Sequence, residues 1–183
     1  MVELYATSAS EAALPLTIGG VSVAEVATSL FLVAPFKGKF TQAATVLNTQ
    51  MGLEWPAVHE LKRMGGAYVL WFDHAHIAFM GAEPSVELAR YAAVTDVSDA
   101  CCIIDISGVS VRNVLARVTP LDVRAKSFNI GMTQRSMVMH MQASITCLGK
   151  SKFRVMVFRS MARTLVHDLT IAMESVAARE KKV

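Results

Sequence analysis

The stretch CCIIDISGVSVRNVLARV, residues 101–118, contains a clear strand-to-helix transition in this sequence of 183 residues. Its first six residues form a short apolar run, which is typical of a strand buried on both faces. Ser107 and Gly108 interrupt the run, and Ser110 is a candidate N-cap for the segment that follows. The apolar residues of that segment recur at the spacing of one helix face: Val111, Val114, Leu115 and Val118. The stretch therefore predicts a strand, a turn and a short amphipathic helix.

The residues that follow predict a hairpin and a final helix. Apolar and polar side chains alternate over residues 137–147, which predicts one strand with Met137, Met139 and Met141 on the same face. The apolar residues 153–158 predict its partner strand, and Ser160 is a candidate N-cap of the last helix. The order strand, helix, hairpin, helix is that of a split β-α-β unit in the α+β class.

The first half of the sequence repeats this order more faintly. Its apolar runs and periodic segments are shorter, but they follow the same succession of strand, helix, hairpin and helix. The predicted elements are a strand at 21–36, a helix over 40–51, a hairpin formed by 67–72 and 77–80, and a short helix at 86–91.

Together the two halves predict an α+β fold with an internal duplication. Residues 21–183 are expected to form a single domain of two pseudo-repeated βαββα halves, at about 21–93 and 94–178. Their strands should form an antiparallel or mixed sheet with helices packed against it. Residues 1–20 show little periodicity and predict an extended N-terminal arm.

The composition points to a folded chain that has more apolar surface than one core requires. Hydrophobic residues make up 53% of the sequence, charged residues only 18%, and the mean hydropathy is +0.41. Disordered chains are poor in apolar residues and rich in charge, so this composition excludes disorder. The best candidate for a membrane span, residues 21–36, contains Glu25 and is shorter than the ~18–20 apolar residues a helical span needs.

Charge and cysteine content exclude further classes of protein. The net charge is +3, and the Lys and Arg residues are scattered without a basic patch or nucleic-acid-binding motif, so no nucleic-acid partner is expected. The three cysteines lack the spacing of a disulfide framework or a structural zinc site. The N-terminal residues do not resemble a signal peptide, and we expect a reduced, cytoplasmic protein.

The candidate chemical groups favour structural roles. Asp73, His74 and His76 could be a fragment of a metal site, but an exposed hairpin turn is the preferred interpretation, because metal sites need three or four convergent ligands. Cys101 and Cys102 lie in an apolar run and are interpreted as buried side chains. The sequence has neither a nucleophile-elbow motif nor a glycine-rich dinucleotide motif. We therefore expect no catalytic, cofactor-binding or metal-binding residue in this chain.

The second half contains an ordered set of short motifs over residues 95–173. The motifs are Thr95-Asp96-Val97-Ser98-Asp99, Ser107-Gly108, Val114-Leu115-Ala116, Thr119-Pro120-Leu121-Asp122-Val123, Phe128 with Gly131, Arg135, Phe153, and Phe158-Arg159-Ser160-Met161-Ala162. This set resembles the gamma subunit of heterotetrameric sarcosine oxidase, and weaker similarities occur at residues 52–56 and 70–74.

This resemblance implies a fold similar to the folate-binding domain of the glycine-cleavage T-protein and its relatives. It also implies a non-catalytic accessory subunit with alpha, beta and delta subunits as partners. In such complexes the alpha and beta subunits hold FAD, FMN, NAD and the tetrahydrofolate site, and the delta subunit binds zinc. The assembly oxidatively demethylates an N-methyl amine such as sarcosine and transfers the one-carbon unit to tetrahydrofolate.

Five residues of the matching motifs are candidates for structural or interface roles. Asp122 and Arg159 stand at junctions between elements, where a local structural role or a contact between subunits would explain them. An alternative is a stand-alone folate-binding or one-carbon-transfer module of the T-protein type. The five candidates are Asp122, Arg135, Phe158, Arg159 and Ser160.

Overall fold

The computed structural model describes residues 7–180, so residues 1–6 of the predicted arm and residues 181–183 lie outside the described part. The strands in chain order are β1 (Leu16–Ile18), β2 (Val21–Glu25), β3 (Leu30–Pro35), β4 (Leu61–Met64), β5 (Ala67–Trp71), β6 (Ile77–Met80), β7 (Ala92–Asp96), β8 (Cys101–Ser107), β9 (Thr133–Val138), β10 (Met141–Gly149) and β11 (Lys152–Phe158). The α-helices are α1 (Phe40–Met51), α2 (Val111–Val118) and α3 (Ala162–Glu180). Short 3-10 helices cover Val86–Arg90, Ser98–Ala100 and Arg159–Met161.

These strands form two sheets, and their neighbouring strands pair antiparallel. The large sheet has the order β1-β2-β8-β11-β10-β9, and the small sheet has the order β4-β5-β6-β3-β7. The strand and helix predicted from residues 101–118 are confirmed as β8 and α2. The α+β class predicted from the sequence is confirmed.

The two sheets are built by a repeated order of elements in which one strand is exchanged. The order β2-β3-α1-β4-β5-β6 with a 3-10 helix is followed by β7-β8-α2-β9-β10-β11 with α3. The first strand of each repeat pairs in the other repeat's sheet, since β2 lies beside β8 and β7 beside β3. Each repeat contains five strands, so the βαββα pattern predicted for each half missed two strands per half as well as the exchange. One strand missed in the first half is β4, whose sequence LKRM is too polar and too short to be recognised.

Residues 21–36 are two strands in different sheets, so the prediction of a single strand was wrong. The chain leaves the large sheet after Glu25 and enters the small sheet at Leu30. The amide of Val26 still donates to the carbonyl oxygen of Ile103, and Val26 packs in the core between the sheets. The apolar run continues through the crossing because the crossing itself is half-buried, and hydropathy therefore cannot reveal it.

Residues 137–147 contain a hairpin turn, so the prediction of one strand there was also wrong. Val138 pairs with Met141, and Met139 has a φ of 50° in the two-residue turn between them. Crossing this turn places Met141 on the helix side of the sheet, whereas Met137 pairs with Gln142 on the opposite face. The three methionines therefore do not form a stripe. The turn was not predicted because methionine and histidine are not the Gly or Asn residues that usually mark such turns.

The two serines predicted to be N-caps do not cap their helices through their side chains. Ser110 occupies the N-cap position of α2, but its hydroxyl donates to the carboxylate of Glu180 at the end of α3. Ser160 is exposed and lies inside the 3-10 helix Arg159–Met161, which connects β11 directly to α3. The α-helix α3 therefore begins at Ala162, after this 3-10 helix, and not at the residue directly following Ser160.

The buried hydrophobic residues within residues 7–180 form three apolar cores. Helices α2 and α3 cover one face of the large sheet, and α1 covers one face of the small sheet. The remaining faces of the two sheets pack against each other, so both sheets are buried on both sides. The core between the sheets contains Leu30, Leu70, Ala78, Met80, Ile103 and Met156.

Candidate functional site

Four of the five motif residues lie where the large sheet meets the N-terminal segment and the small sheet. Phe158 is the last residue of β11 and pairs with Cys101, the first residue of β8. Arg135 and Phe158 line the same small cavity beside Cys101, and Arg159 and Ser160 follow directly in the chain. Asp122 belongs to a different place, the connection between α2 and β9.

Arg135 connects the two sheets at this position. Its guanidinium carbon lies 4.1 Å from the centroid of the Phe72 ring, which follows the last residue of β5. A guanidinium over an aromatic face is an attractive contact, so Arg135 of the large sheet holds the small sheet at its edge. Phe158 lines the same cavity, but 57% of its surface is exposed.

Arg159 and Glu25 hold the N-terminal segment against the large sheet. Glu25 accepts hydrogen bonds from the amides of Ala9 (2.8 Å) and Ser10 (3.0 Å) and from the Ser10 hydroxyl. Arg159 donates through Nη2 to the carbonyl oxygen of Thr7. Burial opposes ionisation of Glu25, but these hydrogen bonds and the nearby Arg159 outweigh it and lower the pKa of the carboxyl group.

The residues of this region form an exposed apolar patch between arginines, which we call the motif surface: Arg135, Phe158, Arg159, Ser160 and Met161. Met161 is 42% exposed, so two large apolar side chains of the motif are accessible. Phenylalanine, methionine and arginine are all enriched at protein–protein interfaces. Arginine is also among the residues that most often dominate the binding energy. The geometry therefore suits binding of another protein surface.

The three cysteine thiols of the chain, of which Cys101 lies beside this surface, are poorly suited to act as nucleophiles. Desolvation by burial raises the pKa of Cys101, and together with the charge of Glu25 it raises the pKa of Cys102 to about 11. Burial also raises the pKa of Cys147. Reactive thiols instead have lowered pKa values, because the thiolate is the nucleophile.

Native alkylation should therefore modify Cys101 slowly and spare the other two thiols. Cys101 is half-buried, whereas Cys102 and Cys147 are buried. At pH 8 a thiol with a pKa of about 11 is thiolate in only about one part per thousand. Mass spectrometry after N-ethylmaleimide treatment should find label on Cys101, and on all three thiols in urea. Equal labelling of Cys101 and Cys102 in the native protein would contradict this assignment.

Asp122 accepts hydrogen bonds from neighbouring residues of the connection between α2 and β9. Its carboxylate accepts from the amide of Arg124 (3.1 Å), from Nε of Arg124 (2.7 Å) and from the hydroxyl of Ser127 (2.6 Å). The Arg124 guanidinium and the Ser127 hydroxyl hold the pKa of this carboxyl group well below its usual range. All of these partners belong to the connection itself, as in an Asx-type turn.

Asp73, His74 and His76 occupy the turn of the hairpin between β5 and β6. The Asp73 carboxylate accepts from the amides of Ala75 and His76, each at 2.8 Å, and lies 2.9 Å from Nδ1 of His76. Burial opposes ionisation of Asp73, but these hydrogen bonds lower its pKa. Within residues 7–180 we find no group of three His, Cys, Asp or Glu side chains arranged to hold a metal ion. In the same residues, no helix combines the length and hydropathy needed to cross a membrane.

Two other features of the structure were not predicted from the sequence. One is an ion cluster between the sheets, in which Asp105 contacts Arg154 and Lys152. The other is a groove at one end of the small sheet, lined by Phe36, Phe40, Trp55, Val58 and Trp71. The sequence signal for the groove is the segment Phe36-Lys37-Gly38-Lys39-Phe40. It places two phenylalanines next to lysines at the start of a predicted helix, where packing of the helix alone does not require them.

Comparison with known proteins identifies the fold of the chain. The heterotetrameric sarcosine oxidase from Corynebacterium sp. U-96, in complex with pyrrole 2-carboxylate, superposes with a TM-score of 0.75 and 22% identity, covering 92% of this chain and 91% of that chain. Glycine cleavage system aminomethyltransferase T from Bartonella henselae superposes with a TM-score of 0.58 and 12% identity, covering 82% of this chain and 45% of that one. The predicted similarity to the T-protein fold is confirmed.

The family follows from the sequence match. A search of curated proteins finds no match. Residues 40–173, well over half of the chain, match the family model described as sarcosine oxidase, gamma subunit family. This range includes all five candidate residues of the motifs. The chain belongs to the sarcosine oxidase gamma subunit family.

Proposed function

We propose that this chain is the accessory gamma subunit of a sarcosine oxidase-like heterotetramer and binds the alpha and beta subunits through its motif surface. One observation carries the proposal: the signature residues Phe158 and Arg159 form an exposed apolar and cationic patch at the junction of the two sheets. An exposed apolar patch of this kind is stabilised when a partner protein covers it and removes it from water. The membership of the family supports the same conclusion.

The chemistry of the proposed complex belongs to the other subunits. FAD, FMN, NAD and tetrahydrofolate would bind to the alpha and beta subunits and zinc to the delta subunit, and none of them to this chain. The assembly would oxidatively demethylate an N-methyl amine such as sarcosine and transfer the one-carbon unit to tetrahydrofolate. The three free cysteines of this chain support a reducing, cytoplasmic location.

Co-expression with the alpha and beta subunits tests this function. The chain should co-purify with them in fixed stoichiometry, and binding should protect Cys101, which lies beside the motif surface, from alkylation. Cys102 and Cys147 provide internal references in the same digest, because both are buried in the chain itself. A monodisperse lone chain that does not bind the alpha or beta subunit would contradict the proposal.

The alternative, a stand-alone folate-binding or one-carbon-transfer module, makes the opposite prediction for the isolated chain. Calorimetry with tetrahydrofolate should then give micromolar binding without any partner. Under the accessory-subunit proposal, the isolated chain gives no saturable heat with tetrahydrofolate, whereas the assembled complex does.

A further inference from the structure

The groove at the end of the small sheet has the size and lining of a binding site for an extended ligand. It has a volume of about 620 Å³ and lies between the end of β3, the start of α1, the connection after α1 and the β5–β6 hairpin. We call it the aromatic groove, defined by Phe36, Phe40, Trp55, Val58 and Trp71. Its phenylalanines and Val58 are unusually accessible for large apolar residues, at 48%, 55% and 66% exposure.

Three of the aromatic side chains that line the groove pack against other rings. Phe40 and Trp55 pack edge to face, with ring centroids 5.3 Å apart. His59 packs edge to face against Trp71, with centroids 4.7 Å apart. Each indole also carries an N–H donor. Grooves lined by aromatic residues bind extended proline-containing segments in other proteins. The proline rings stack on the aromatic side chains, and the backbone carbonyl oxygens of the segment accept hydrogen bonds from donors such as the indole N–H.

The charges around the groove favour an acidic occupant. Lys37 and Lys39 stand between Phe36 and Phe40, are exposed, and take part in none of the ion pairs found within residues 7–180. The carboxylate that lines the groove, Asp73, already accepts hydrogen bonds from its own turn. Lys37 and Lys39 therefore supply two cations, unpaired within residues 7–180, in the short segment that joins the lining residues Phe36 and Phe40.

We propose that the aromatic groove binds an extended, acidic, proline-containing segment of a larger partner subunit. This inference rests on the proposed function, because the partner is a subunit of the same complex. The apolar side chains of the segment stack on the aromatic residues, and its carboxylates face Lys37 and Lys39. A second copy of this chain is a poorer occupant, because the chain has a net charge of +3 and would meet Lys37 and Lys39.

The tryptophans make the groove directly observable. The protein has only two, and both line the groove, so 5-fluorotryptophan incorporated into this chain gives two ¹⁹F resonances that report on this site. Adding unlabelled alpha and beta subunits should shift both resonances. A synthetic peptide of alternating Asp and Pro should shift them saturably, and a peptide of alternating Lys and Pro should not.

Charge reversal provides a matched control. The variant K37E/K39E should bind the alpha and beta subunits about tenfold more weakly than the unmodified chain. The variant K126E/K150E changes the net charge equally at exposed sites outside the groove and should bind as the unmodified chain does.

The possible outcomes separate the two proposals. If the subunits bind but the resonances stay unchanged and K37E/K39E binds normally, the groove inference is overturned while the proposed function stands. Equal shifts with the two peptides would also overturn the groove inference. Shifts caused by concentrating the chain alone would overturn it as well, because the occupant would then be a second copy of the chain. If the subunits do not bind this chain at all, both proposals fail.

Discussion

Replacing Arg154 by alanine is expected to lower the free energy of unfolding at pH 7 by about 3 kcal/mol. Arg154 lies between the sheets with only 9% of its side chain exposed, and it donates to both carboxylate oxygens of Asp105, at 2.7 and 3.1 Å. Its guanidinium also lies 5.0 Å from the centroid of the Tyr68 ring. Removing it leaves a largely buried carboxylate with one partner, Lys152 at 2.9 Å, whose side chain is half-exposed. Because that partner remains, we take the low end of the ~3–5 kcal/mol range for breaking a buried pair.

The loss should depend on pH in a defined direction. Burial opposes ionisation of Asp105, but hydrogen bonds from Arg154 and Lys152 outweigh it and lower the pKa in the folded protein. A lowered folded pKa contributes stability that is fully present above the unfolded value of about 3.9 and is lost as the pH falls through the folded value. The difference between the unmodified chain and Arg154→Ala should therefore be largest near pH 7 and smaller at about pH 3.

Urea unfolding at the two pH values measures this effect. Arg163→Ala is the control, because Arg163 is 76% exposed and its pair with Glu11 spans 3.6 Å, so its loss should change stability by less than about 0.5 kcal/mol. Replacing both partners, as in Asp105→Asn with Arg154→Met, should recover part of the loss. An equal loss at both pH values would assign the effect to packing instead of to the charge pair.

The parts of the fold that could be predicted are those that leave a local pattern. The stripe of α2 and the apolar run of β8 were recognised because side-chain periodicity follows directly from helix and strand geometry. The exchange of β2 and β7 leaves no such pattern, since it depends on which sheet a strand joins. The turn at Met139 and His140 was missed because the alternation was extended through these two residues, whereas the turn places Val138 and Met141, three positions apart, on the same face of the sheet.

The candidate site shows the same division. Phe158 and Arg159 were selected from a resemblance in motif order, and no periodic pattern would have selected them. Their juxtaposition with Arg135 depends on strand register and strand order. The register pairs Phe158 with Cys101, and the order places β9, which carries Arg135, two strands away from β11. The aromatic groove combines residues from α1, the following connection and a hairpin, so only tertiary packing assembles it.

Replacing Phe158 by aspartate is expected to weaken binding to the alpha and beta subunits about 100-fold, or ~2.8 kcal/mol at ~1.4 kcal/mol per tenfold change. The substitution removes the largest exposed apolar side chain of the motif surface and places a carboxylate where the partner would have to desolvate it. Because 57% of Phe158 is exposed in the chain alone, the variant should still fold, and circular dichroism should be unchanged.

The matched control is Val109→Asp, which adds the same charge at a residue that is 94% exposed, in the connection between β8 and α2. Biolayer interferometry with immobilised alpha and beta subunits should separate the two variants, and only Phe158→Asp should also abolish the protection of Cys101 from alkylation. Equal weakening by both would mean that added negative charge, and not the motif surface, determines binding. Normal binding by a folded Phe158→Asp variant would place the contact elsewhere, because a carboxylate at the centre of a buried apolar contact cannot be accommodated without loss of affinity.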